Sequence, residues 1–402
     1  MSASSTCLRK LKVIVLLFQV VLSLLLVRPA LALEARACLS SDWPLWQEFQ
    51  RHFIQADGRV LDASTPQRHS SSEGQSYAMF FSLIANDRPT FEKLWLWAKN
   101  NLADGDIRKN LPGWIWGMDE QGGWRLLDIN SASDADVWFA YVLLEAGRLW
   151  HDDRYDAEAR LLLTNISTRE VADLPGLGKM LLPGFQGFVR PDNLWQLNPS
   201  YLPIPVLRRL ANAAPQGPWD EIANNTATLM KGASRHGFAP DWVAYQGATA
   251  GSGSFVVDPI KGDLGSYDAI RTYLWAGMTP AGDPLAGHML QALKGMVSAT
   301  RGNGIPPEKV QTMTGQTSGA GPFGFSAALL PYFKALGENR LLQYQQLRVQ
   351  KGLEESLTPE ALTVSQPPYY YFVLSLFSLG FMDDRYRFLE DGKLQLKWEK
   401  AC

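Results

Sequence analysis

A single all-α domain of about twelve helices is the architecture this chain predicts, on three observations. Apolar residues recur at helical spacing in segment after segment. Strand signals are few and short, the best being Val256-Val257 and Trp124-Arg125-Leu126-Leu127, enough for a small hairpin. No low-complexity or linker-like stretch divides the chain, so residues 38–402 read as one domain. Single cores usually stop growing before that length. A closed ring of helix pairs escapes the limit, because each added pair extends a ring-shaped core.

The elements follow from the N-terminus. Arg9, Lys10 and Lys12 form a basic head, and residues 13–27 are almost purely apolar. Ala30-Leu31-Ala32 and Ala35-Arg36-Ala37 then offer small-x-small cleavage points. This three-part layout predicts a secretory signal peptide over residues 1–37, cut after Ala32 or Ala37. The apolar run is short for a bilayer span, which makes an uncleaved anchor the alternative. Helices are expected at residues 43–53, 73–85, 90–101, 133–150, 155–171, 201–213, 219–231, 267–278, 284–300, 324–336, 341–353 and 369–380. The first carries Trp46, Phe49 and Phe53 along one side. Pro/Gly connections such as Leu174-Pro175-Gly176 and Leu182-Pro183-Gly184 punctuate the series.

Composition narrows the chemistry. With 46% hydrophobic and 19% charged residues over 402 positions, the chain is globular. Its formal net charge of -2 and lack of any basic run exclude nucleic acid as a partner. Three cysteines and five histidines without close spacing give no metal site. Export removes Cys7 and leaves Cys38 and Cys402, which an oxidising compartment would join as a disulfide. Lipidation of Cys38 is the alternative, although Arg36 spoils the motif. The 14 Trp, 13 Tyr and 18 Phe are an unusual number; a core built with large aromatics accounts for part of them, and the rest are suited to stacking on sugar rings.

Three helix starts share one arrangement: a serine, an acid two or three residues on, and a bulky aromatic nearby. They are Ser70-Ser71-Ser72-Glu73-Gly74-Gln75-Ser76-Tyr77, Ser131-Ala132-Ser133-Asp134-Ala135-Asp136-Val137-Trp138 and Ser266-Tyr267-Asp268-Ala269-Ile270-Arg271. Each acid has a bland explanation. Ser70-x-x-Glu73 is a capping box, Ser131 is a candidate cap for the helix carrying Asp134, and Asp268 suits a helix dipole. Against three separate caps stand the aromatics Tyr77, Trp138, Tyr273 and Trp275. Arg271 lies one turn after Asp268, placed to grip a carboxylate or a substrate hydroxyl. The crowding of Asp134 against Asp136 is also more than a cap requires. The expectation is that the three acids converge on one polysaccharide-cleaving groove.

The run from Ala132 to Ala140, continuing through Glu145-Ala146-Gly147-Arg148-Leu149-Trp150, resembles the signature of glycoside hydrolase family 8. Ser72–Tyr77 resembles that family's acid motif and Ser266–Arg271 its base motif. Asn198-Pro199-Ser200-Tyr201 and Pro306-Pro307-Glu308 also look familial. Phe139 and Val142 depart from the usual residues, at what look like packing positions. The likeness spans residues 38–402 and is greatest to periplasmic endo-1,4-β-glucanases that accompany bacterial cellulose synthesis.

The resemblance implies an (α/α)6 barrel whose inner helix starts line an open cleft. It implies inverting hydrolysis of internal β-1,4-glucan bonds without metal or cofactor. Glu73 would be the proton donor and Asp268 the base. Asp134 would lie by the sugar at the cleavage point, a position some accounts label the nucleophile. A helix start lowers a carboxyl's pKa, which suits Asp268 and opposes Glu73. Asp134, assisted by desolvation from Tyr77 or Trp114, is expected to keep Glu73 protonated. Tyr77, Trp114, Trp116, Trp138, Trp195, Tyr201, Arg271 and Tyr369, with Tyr370 beside it, are the substrate-binding candidates. The expected partners are a β-1,4-glucan chain and the cellulose synthase complex. No membrane attachment is expected once the leader is cut. Xylan, chitosan or mixed-linkage glucan are alternative substrates, and a non-catalytic glucan-binding envelope protein is the alternative of another kind.

Overall fold

In a computed structural model of the chain the described residues are 42–248 and 251–400. The leader, both cleavage points and the expected Cys38–Cys402 bond lie outside them. Trp43–Lys397 form one compact unit, while Asp42 and the 3-10 turn Trp398–Lys400 belong to another.

The compact unit contains fourteen α-helices, all that the described residues hold. They are α1 (Pro44–Phe53), α2 (Ser72–Ile84), α3 (Arg88–Leu102), α4 (Ser133–Trp150), α5 (Asp153–Arg169), α6 (Ile204–Ala213) and α7 (Trp219–Ala233). Then come α8 (Ala269–Met278), α9 (Ala286–Ala292), α10 (Gly295–Asn303), α11 (Phe323–Ala335), α12 (Asn339–Ser356), α13 (Pro359–Val364) and α14 (Tyr369–Met382). Helices α2, α4, α6, α8, α11 and α14 touch in that order, and α14 returns to α2, so the inner ring is closed. Outside them pack α3, α5, α7, α9, α12 and, against α14, the first helix α1. This is an (α/α)6 barrel.

Burial separates the two rings as their sequences demand. Every residue of α8 is buried, as is every residue of α2 except Glu73. A helix apolar all round has to be wrapped by other helices. Outer helices such as α1 bury one stripe only, here Trp46, Phe49 and Phe53. Phe139 and Val142 are fully buried in α4, at packing positions. Gly277 lets α8 and α11 approach closely: a Cβ there would sit 2.2 Å from the Tyr332 backbone nitrogen. No helix among the described residues is long and apolar enough to cross a membrane.

Two expectations about elements need correction. The helix expected over 284–300 is two helices, α9 and α10. The amide of Gly295 donates to Gly237 O at 2.9 Å, a tertiary bond where a continuous helix would need its own ladder. The strand content is larger than the sequence suggests: among the described residues fourteen strands form five sheets. The two expected strand segments do not pair with each other. Trp124 opens β3 (Trp124–Ser131), in a sheet with β1 (Ser70–Ser71) and β2 (Gly113–Met118). Val256-Val257 end β9 (Gly253–Val257), which pairs with β8 (Val243–Gly247) in another sheet. Apart from β2 and β3, the strands run two to five residues and carry too little alternation to be read. They matter for the site, because β1, β3 and β10 (Leu264–Gly265) run into the starts of α2, α4 and α8.

The cap at α2 is also testable. Ser71 Oγ accepts from the Gly74 amide at 3.1 Å. Ser71→Ala is expected to cost about 1 kcal/mol in urea unfolding.

Candidate active site

All three acid-bearing helix starts open at one end of the barrel, and at α2 and α8 other side chains perform the capping. At α2 the cap is Ser71, not Ser70, so Glu73 has no capping duty. At α4 the expected cap Ser131 is used elsewhere: its hydroxyl donates to Glu170 and accepts from the Phe185 amide at 3.1 Å. At α8 the Asp241 carboxylate accepts from the amides of Ser266 and Ala269, at 2.8 and 2.7 Å. Asp268 makes no cap bond of its own. Glu73 and Asp268 are therefore left to other partners, while Asp134 Oδ1 accepts the first-turn amide of Ala135 at 2.9 Å and leaves Oδ2 for another partner.

Arg271 joins them. Its Nη1 donates to Asp134 Oδ2 at 2.9 Å and to the Tyr77 hydroxyl at 3.2 Å. Its Nη2 donates to Asp268 Oδ1 at 2.8 Å. The guanidinium is buried and lies 5.5 Å from the Tyr201 ring centre. Two indoles hold the outer carboxyls. Trp114 Nε1 donates to Glu73 Oε1 at 3.0 Å, and Trp242 Nε1 donates to Asp268 Oδ2 at 3.1 Å. Glu73, Asp268 and Arg271 face one open groove of about 820 Å³, walled further by Tyr77, Tyr267, Tyr369 and Tyr370. Asp134 lies deeper, 1% exposed, beneath Arg271.

The electrostatics differ from acid to acid. Burial first, and the neighbouring Asp134 charge second, push the Glu73 carboxyl up to about 8, against the weaker pull of Arg271 and Trp114. The sequence argument put Asp134 first and desolvation second, and the structure reverses that order. Burial also raises Asp134, to about 6, with Arg271 opposing. Asp268 keeps 34% of its side chain exposed, so water reaches it directly.

Of the expected stacking residues, Trp114 is 41% exposed at the groove and Tyr201 lies under Arg271. Trp116 does not join Trp114. Two register shifts in the β2–β3 pairing break the alternation that would put both on one face. Its ring instead stacks on Trp124 at 5.2 Å, with the Arg59 guanidinium 4.5 Å away. Trp138 is a core residue, 1% exposed among Tyr77, Phe80, Trp275 and Phe377, which corrects the expectation of a platform. Trp195 is half-buried in β7 (Leu194–Leu197), with its ring 6.4 Å from Tyr245. Tyr369 packs its ring on Phe49 and Phe53 while still lining the groove.

Asp241, Trp242, Tyr267 and Glu170 were not singled out from the sequence. Asp241-Trp242 precedes a short strand and has no helical period, so only its Asp-Trp pairing could have drawn notice.

The chain has relatives along nearly its whole length. The profile described as "Glycosyl hydrolases family 8" matches residues 23–382. An endoglucanase of Pseudomonas fluorescens (strain SBW25) is 50% identical over 376 residues, 92% of this chain and 94% of that one. An endoglucanase of Escherichia coli (strain K12) is 42% identical over 361 residues, 90% and 92% of the two chains. The crystal structure of an endo-1,4-D-glucanase from Vibrio fischeri ES114 superposes with a TM-score of 0.83 at 40% identity, covering 89% of this chain and all of that one. A cold-adapted family 8 xylanase, 17% identical with a TM-score of 0.60, shares the fold. With a closed ring of six helix pairs, three acids brought together at its inner helix starts, and relatives matching along nearly its whole length, the chain belongs to glycosyl hydrolases family 8.

Proposed function

We propose that the chain is an endo-1,4-β-glucanase that cleaves internal bonds of a β-1,4-glucan with inversion. The observation that carries this is the unlike setting of two carboxyls on one groove. Glu73 is enclosed, sits beside Asp134 and has an indole as its donor. Asp268 is open to water and accepts from both Arg271 and Trp242. Glycosidic cleavage by inversion requires one protonated and one ionised carboxyl with room for a water between.

Glu73 delivers its proton to the leaving glycosidic oxygen as the bond to C1 breaks. Asp268 takes a proton from the water that attacks C1 from the opposite face. Asp134 transfers no proton. Its charge keeps Glu73 protonated and, through Arg271, fixes the position of Asp268. Trp114 and Tyr201 are the platforms for sugar rings. The names of the relatives support a cellulose-type substrate. The leader layout supports export, with residues 38–402 as the mature domain. Action in the periplasm on glucan made by the same cell, beside the cellulose synthase complex, rests on the likeness to endoglucanases that accompany bacterial cellulose synthesis.

The experiment is digestion of carboxymethylcellulose and defined cello-oligosaccharides, with proton NMR of the first product. A rapid fall in viscosity, mixed short products and an α-anomer at the new reducing end are expected. A β-anomer, or release from xylan or chitosan alone, overturns the reading.

A further inference from the structure

Behind Asp134 stand two acids that the proposed chemistry does not use. Asp136, two residues along α4, is 0% exposed, and neither of its oxygens meets a donor among the described residues. Glu170, the residue that ends α5, is also 0% exposed. Its Oε1 accepts from Ser131, and its Oε2 has no such partner. The two carboxyl groups lie within hydrogen-bond reach of each other. No cation forms an ion pair with either among the described residues. Arg169, next along the chain, is exposed, donates to Lys109 O and covers the Phe185 ring.

Two bare carboxylates cannot bond to each other, and burying both without a cation is costly. A proton between them removes both problems, and the surrounding bonds say where it sits. The Phe185 amide donates to Ser131 Oγ, so the single Ser131 hydroxyl proton points at Glu170 Oε1. Glu170 is therefore an acceptor on that side. Its other oxygen is free to accept from a protonated Asp136.

We propose that Asp136 and Glu170 form a buried acid–carboxylate pair sharing one proton, which locks the first turn of α4 and carries a single negative charge behind Asp134 and Glu73. The chain Phe185–Ser131–Glu170–Asp136 ties the end of β3, the loop before Phe185 and the end of α5 to the helix that presents Asp134. The charged groups facing the pair are Asp134 on its own helix, Glu73 on α2 and Arg169 at the end of α5. Arg271 on α8 meets Asp134 from the far side. Burial raises both members of the pair; Glu170 adds to the rise of Asp136, whereas the bonds from Ser131 and Asp136 pull Glu170 back down, so Asp136 is the member that keeps the proton. The pair acts through Asp134 and Glu73, so its members are positioning residues.

Amide substitutions separate the possibilities. Asp136→Asn keeps a donor towards Glu170 and keeps the charge. Glu170→Gln keeps the bond with its direction reversed, and the charge moves to Asp136. The double amide keeps a hydrogen bond and removes the charge. In infrared difference spectra of wild type against Asp136→Asn at neutral pH, loss of one protonated-carboxyl band is expected. This readout is independent of turnover, so it stands or falls apart from the glucanase reading. The kinetic arm rests on that reading. Both single amides are expected to retain most of the wild-type kcat/KM. The double amide is expected to move the alkaline limb of kcat/KM down by about half a unit to one unit. Absence of a lost band overturns the proposal, as does a folded double amide with the wild-type alkaline limb. Should the double amide not fold, the infrared comparison of the single variant decides.

Discussion

Glu73→Gln is expected to lower kcat/KM on cello-oligosaccharides by about a thousandfold, the usual worth of a positioned general acid. The amide matches the protonated acid in size, and its carbonyl can still accept from Trp114 Nε1, which holds Glu73 at 3.0 Å. Little change in substrate affinity is therefore expected. The loss should shrink on aryl cellosides, whose leaving group departs without a proton. Equal loss on both substrate classes would remove Glu73 from the role of acid. Stability should respond in the opposite sense to activity. The folded protein holds the Glu73 proton up to about 8, whereas an unfolded chain releases it near 4.5. A raised folded pKa gives stability that is complete below the lower value and is lost as pH rises towards the upper one. Glu73→Gln should flatten that decline, and urea unfolding between pH 5 and pH 8 on the order of one-unit steps measures it. Asp134→Asn removes the second cause of the shift and should lower the alkaline limb of kcat/KM.

Arg271→Met is the second large effect. It strips the cation from Asp134, whose side chain is 2% exposed, and from Asp268 and Tyr77 at once. Leaving a buried charge without its partner costs about 3–5 kcal/mol. Turnover should fall with it, because both Asp134 and Asp268 lose the group that fixes them. Arg271→Lys should recover little of either. One ammonium cannot reproduce a planar fork that meets three acceptors from two nitrogens. The check is calorimetric unfolding of both variants beside kcat/KM. A variant as stable as wild type would show that the bridge contributes nothing to the fold.

These expectations rest on features of different legibility. The helical class, most helix positions and the three acids with Arg271 were visible along the chain. They depend on local period and on residue types crowded at helix starts. The run 133–150 is bounded as its sequence indicates, around an unbroken apolar stretch over 137–144. Apart from the signals at 124–127 and Val256-Val257, the strands were not visible, and neither was the fate of each serine. Ser131 looks like a cap and instead donates to Glu170, 39 positions further along the chain. Trp138 looks like a platform beside an acid, but the first turn of α4 directs it into the inner ring. Trp114 and Trp116 look like a pair, and a bulged strand sends them to different neighbours.

Spacing along a helix therefore pointed to the three acids and Arg271, at helix starts, as the candidates for the chemistry. Closure of the ring decided which of them meet, since α2, α4 and α8 become neighbours only when six pairs wrap one core. It also decided protonation. A carboxyl's charge depends on the water and ions left around it, and no residue's environment is written in its own neighbours along the chain.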